Sequence, residues 1–219
     1  MLFKTIVSAI VAGIVAGSAL FLIQRWTSIP LILKAELQEQ TGGSEHRPSE
    51  PPQDVTTRGA YTLVGDILLA CGFGLILSAA YIVTAQSGFL PGIGWGLAGF
   101  AIFHLGPAIV VPPLIPGLEA GFLAARQAIW VVAASATAIG LVLLIFGSKF
   151  LKLVGALVLA LPFVIEEIFP LARVQSGPTT VYERSFILWS LIGSMVMWLL
   201  LGAVSGALYA WLDAGDTDA

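Results

Sequence analysis

Six long apolar stretches, separated by shorter polar ones, set the pattern of this 219-residue chain. They run Phe3–Gln24, Tyr61–Thr84, Gly92–Val111, Ala128–Gly147, Phe150–Phe169 and Phe186–Trp211. Each holds about twenty residues or more, the length at which a helix crosses ~30 Å of hydrocarbon. The pattern predicts an all-α fold, a polytopic membrane helix bundle of about six transmembrane helices. The fifth stretch contains Pro162 and ends in Glu166 and Glu167. Five spans plus a re-entrant segment is therefore the other arrangement the pattern allows. A single integral membrane domain, residues 1–219, accounts for the chain. Its main interruption is the polar loop at 28–58. There Pro30–Gln40 reads as a short helix lying along the membrane, and TGGSEHRPSEPPQDVTT reads as a mobile linker.

Within the apolar stretches, small residues recur at helical spacing. Ala9, Gly13 and Gly17 fall every fourth residue, as do the pairs Gly92/Gly96 and Gly202/Gly206. Such faces let helix backbones approach closely, so these glycines are expected to pack helix against helix. Pro107 and Pro162 are expected to kink their helices, because proline removes an amide donor.

Composition agrees with the pattern. The chain is 58% hydrophobic and 11% charged, about half the charged share of a soluble domain. Its net charge is −3 with no basic run, which argues against nucleic acid as a partner. The run after Lys4 looks at first like a signal peptide. It is too long for one and ends in Phe-Leu-Ile-Gln-Arg rather than a small-residue cleavage site, so it reads as a retained helix. Lys4 just ahead of that helix argues for a cytoplasmic N-terminus, whereas the count of Lys and Arg on the loops argues for the reverse. The one cysteine, Cys71, lies inside a span and makes no disulfide within the chain.

Chemistry centres on Gly92–Val111. His104 sits in its middle with Pro107 three residues on, so the carbonyl of Phe103 loses its usual helical donor beside an imidazole. An imidazole in hydrocarbon needs a partner or a cavity. It can link two helices by a hydrogen bond, line a cation path, or serve as axial ligand to a pigment held in a larger complex. Asp66 lies inside the second helix, where a carboxylate pairs with a cation, faces a cavity or reaches the headgroups. Glu166 and Glu167 read as a surface stop; in the sharper reading, Glu166 helps a cation enter. The candidate metal-contacting residues are therefore His104, Asp66 and Glu166. His46 stands between Glu45 and Arg47 and reads as a solvated loop residue. No nucleotide loop, metalloprotease motif, CxxC or nucleophile elbow occurs, so neither an enzyme nor a required cofactor is expected.

The runs GWGLAGFAIFHLGPAIVVPPLIPG and AARQAIWVVAASATAIGLVLLIFG resemble the core of the CbtA family of predicted cobalt transporter subunits. FKTIVSAIVAGIVAGSALFLIQ and RGAYTLVGDILLACGFGLIL are similar to its first two helices. The resemblance covers nearly the whole chain. It implies permeation of cobalt or a related divalent cation as substrate, at a bacterial inner (cytoplasmic) membrane, with a small CbtB-like subunit as partner. Family members commonly carry several histidines in the first loop, where this chain has only His46. They also tend to have Leu-Pro-His in the fifth segment, where this chain has Leu161-Pro162-Phe163. These departures keep a second reading open: a non-transporting accessory subunit packed beside other transmembrane subunits, with bound lipid or pigment, in a larger complex.

Overall fold

The computed structural model describes residues 2–41, 55–115, 123–168 and 181–217. Among them every regular element is a helix and none is a strand. The helices are α1 (Leu2–Trp26), α2 (Ser28–Thr41), α3 (Val55–Thr84), α4 (Phe89–Val110), α5 (Leu123–Phe146), α6 (Lys149–Ile168) and α7 (Val181–Thr217). Five of them, α1, α3, α4, α5 and α7, are long and apolar enough to cross a membrane. α6, with 20 residues, is not in that group; its sequence carries Lys149 and Lys152 at one end and Glu166 and Glu167 at the other.

Several helices outrun their apolar stretches. α3 begins at Val55 rather than Tyr61, α5 at Leu123 rather than Ala128, and α7 spans 37 residues. Hydropathy marks where a helix meets lipid, whereas backbone hydrogen bonding continues through helix-compatible polar residues such as Arg58, Arg126 and Glu183. The short helix expected at Pro30–Gln40 is present as α2. The tract after it, including His46, lies outside the described residues. α6 runs unbroken through Pro162 to Ile168.

The chain forms two compact units, Met1–Leu97 with Ile192–Ala219, and Ala98–Leu191. In the first, α1 lies antiparallel on α3 through small residues. A Cβ on Gly13 would overlap Cys71, one on Gly17 would overlap the backbone of Asp66 and Ile67, and Gly74 lies against Ala9. The buried stripe of α1 is wider than the every-fourth-residue series, since Ala12 and Ala16 are buried too. Ile10, Ile14 and Leu22 point outward. Big residues outside and small ones inside is the arrangement lipid favours, because the interior gains from close packing and the exterior loses nothing in hydrocarbon.

The start of α4 packs on α7 in the same way. A Cβ on Gly92 would strike the carbonyl of Gly202, one on Gly96 that of Trp198, and one on Gly206 that of Gly88. Gly88 has φ +124°, a conformation open to glycine, and its amide donates to the carbonyl of Gly206 at 2.9 Å. Two glycine pairs more than a hundred residues apart thus form one interface.

Each pairing among α1, α3 and α7 also carries a side-chain link. Ser8 Oγ meets Ser78 Oγ at 3.3 Å, Tyr81 Oη meets Ser205 Oγ at 2.9 Å, and Lys4 Nζ donates to Asp213 Oδ1 at 2.7 Å. The ring of Phe73 lies 4.6 Å from that of the fully buried Trp198.

In the second unit α5 and α6 form an antiparallel hairpin. Gly140 and Gly155 face each other, and Leu143 and Leu151 close over Gly147 at the turn. A small apolar core joins the end of α4 to α5 through Val110, Val111 and Ala133, with Ile129 against it.

Candidate functional site

The site is built on a local fault in α4. From Ala101 to Leu105 the helix widens into a π-turn, returning to α geometry at Gly106. Pro107 supplies the reason: it has no amide hydrogen, so the α-helical register cannot pass through it intact. The widened turn lets the amide of Gly106 bond to the carbonyl of Ala101, five residues back.

His104 lies within this turn and is half-buried. Its ring stacks on that of Phe100, one turn earlier, with centroids 6.3 Å apart and planes 14° from parallel. The ring of Phe103 meets Trp130 of α5 at 6.4 Å. Gly106 lets α5 approach: a Cβ there would overlap Thr137 Oγ1, whose hydroxyl is turned to the carbonyl of Ala133 at 2.8 Å. Past the buried Pro107, Arg126 Nη2 donates to the carbonyl of Pro112 at 2.8 Å. This bond fixes the first turn of α5 to the Pro112–Pro113 step.

Asp66 belongs to the first unit. The α3 start at Val55 places it about three turns inside the helix rather than near its end. Its carboxyl is hydrogen-bonded with the Gln24 side chain of α1. Its Oδ2 is buried without a hydrogen-bond partner. His104 belongs to the second unit, and the side chain of Glu166 lies outside what is described. Among the described residues no group of three or more His, Cys, Asp or Glu side chains is placed to hold a metal ion. What the π-turn offers is one imidazole in a turn whose α-helical register Pro107 interrupts.

The sequence reading passed over three contacts: Lys4 with Asp213, Arg126 with Pro112, and Gln24 with Asp66. One signal was available for the first. A cation in the first turn of α1 and an anion near the end of α7 each oppose the dipole of their own helix. Each is then better placed beside the other.

Glycine-packed spans, lipid-facing Leu and Ile, and a histidine-bearing π-turn define an integral α-helical membrane protein surrounded by lipid bilayer. Residues 3–210 match the family described as Probable cobalt transporter subunit (CbtA), and the chain belongs to that family. No curated protein and no solved structure matches it.

Proposed function

We propose that this protein is the membrane subunit of a cobalt or related divalent-cation transport system, in which His104 contacts the cation in transit. The observation that carries the reading is the family match over residues 3–210. His104, in the π-turn of α4, is the residue to which we assign the contact. Imidazole is a good ligand for cobalt and the other late divalent metals. Cobalt is cargo here, so no resident cofactor is required. A small CbtB-like subunit is the expected partner, and any ATP-driven step belongs to another chain.

The test is cobalt accumulation in cells at matched membrane levels of each variant, with the partner subunit present. His104→Ala should abolish uptake while the bundle still assembles. His104→Gln should not restore it, because an amide is the weaker metal ligand. Uptake by the Ala variant equal to that of the parent would remove His104 from the path. The second reading is a non-transporting accessory subunit, favoured by the small imidazole inventory of His46 and His104 and by Phe163 after Pro162. It predicts no uptake by the parent, a silent Gln variant, and a loss of only about 1 kcal/mol of packing on His104→Ala.

A further inference from the structure

Whether α6 crosses the membrane can be decided from contacts elsewhere in the chain. Lys4 at the start of α1 bonds to Asp213 near the end of α7 at 2.7 Å. At the other end of the same helices, Leu20 and Ile23 of α1 lie against Gly193 of α7. α1 and α7 are therefore antiparallel neighbours over most of a membrane thickness. The beginning of α1 and the end of α7 then share one membrane face.

The remaining contacts of the first unit agree. α3 runs parallel to α7, with Phe73 beside Trp198 and Tyr81 beside Ser205 and Tyr209. α4 runs antiparallel to α7, and the Gly88 amide on the carbonyl of Gly206 puts the α3–α4 turn on the face of the termini. α7 thus ends on that face and begins on the opposite one.

A chain that starts and finishes on one face makes an even number of crossings. The five helices that are long and apolar enough to cross give an odd number. α2, with 14 residues, rises only ~21 Å and is too short for the missing crossing. α6, with 20 residues, rises ~30 Å, the thickness required.

We infer that α6 is a complete sixth crossing, antiparallel to α5, with Lys149 and Lys152 at the face of the chain termini and Glu166 and Glu167 at the opposite face. A re-entrant α6 would return the chain to the termini's face and make α7 begin on the side where Asp213 requires it to end. The helix itself fits the crossing. It stays paired with α5 from Leu151 beside Gly147 to Leu159 beside Gly140, then continues unbroken for nine more residues to Ile168. Its charged positions fall at its two ends, where a crossing helix meets the headgroup regions. This inference does not depend on the nature of the cargo.

The test is side-specific labelling of single cysteines in the full chain on a Cys71→Ser background. A membrane-impermeant maleimide is applied to intact cells and again after permeabilisation. Ser87→Cys marks the termini's face and Thr27→Cys the opposite face. Ser148→Cys should label with Ser87→Cys, and Glu167→Cys with Thr27→Cys. Glu167→Cys labelling from the same side as Ser148→Cys would overturn the inference. If Glu167→Cys fails to accumulate, Tyr182→Cys gives the same decision. Labelling with Thr27→Cys supports a sixth crossing, and labelling with Ser87→Cys rules it out.

Discussion

At the residue scale, Asp66 and His104 show two ways of keeping a polar group inside an apolar span. His104 stacks on Phe100 within a distorted turn, while Asp66 hydrogen-bonds with Gln24 and keeps one buried oxygen unpaired. An unpaired buried acceptor gives back part of what its neighbour's hydrogen bond contributes. Replacing both members of such a pair by apolar side chains is often neutral or better. Asp66→Leu combined with Gln24→Leu should therefore change stability by no more than about 1 kcal/mol. Thermal unfolding of the purified protein in mild detergent provides the measurement. A much larger loss would mean that the pair is a structural element of the α1–α3 contact.

At the element scale, glycine decides which helices touch. Gly13 and Gly17 bring α1 onto α3, and Gly92 and Gly96 bring α4 onto Gly202 and Gly206 of α7. At these positions a side chain would meet backbone, which cannot move aside as the end of a flexible side chain can. Gly13→Leu and Gly202→Leu should each cost at least about 3 kcal/mol or prevent assembly, the upper end of overpacking penalties. Ile14→Leu, on the outward face, should stay within about 0.5 kcal/mol of the parent. Yield of monodisperse protein from membranes, with melting of what is recovered, reads the difference. Equal behaviour of all three variants would mean that these faces are not interfaces.

At the scale of the whole molecule, the ion pair between Lys4 and Asp213 ties the first helix to the last across 209 positions. Lys4 is buried, but the Asp213 side chain is 61% exposed. Solvent screening therefore holds the pair's contribution to about 1 kcal/mol or less. Lys4→Met should lower stability by that small amount, and the charge exchange Lys4→Asp with Asp213→Lys should recover most of it. High salt should narrow the gap between parent and Lys4→Met. A charge exchange that melts like Lys4→Met would show that the contact holds nothing together.

The sequence by itself determined what the bilayer demands. Where the spans lie follows from runs of apolar residues, and the all-α class follows because every backbone group in hydrocarbon must be satisfied within its own segment. His104 and Pro107 were legible because a polar group and a missing donor stand out in such a run. The glycine faces were legible as faces, since four-residue spacing is a local property. Their partners were not. That Gly92 meets Gly202, or that Lys4 reaches Asp213, depends on how helices far apart in the chain lie side by side, and spacing within one helix carries no such information. The π-turn also needed the structure. Pro107 announces a lost hydrogen bond, but whether the helix bends, breaks or widens depends on what packs around it. Here Gly106 and Thr137 leave room for α5 to close on a widened turn. The helix ends beyond the apolar runs were missed for a different reason: outside lipid, hydropathy no longer tracks helicity, and only the continuing backbone hydrogen bonds decide where a helix stops.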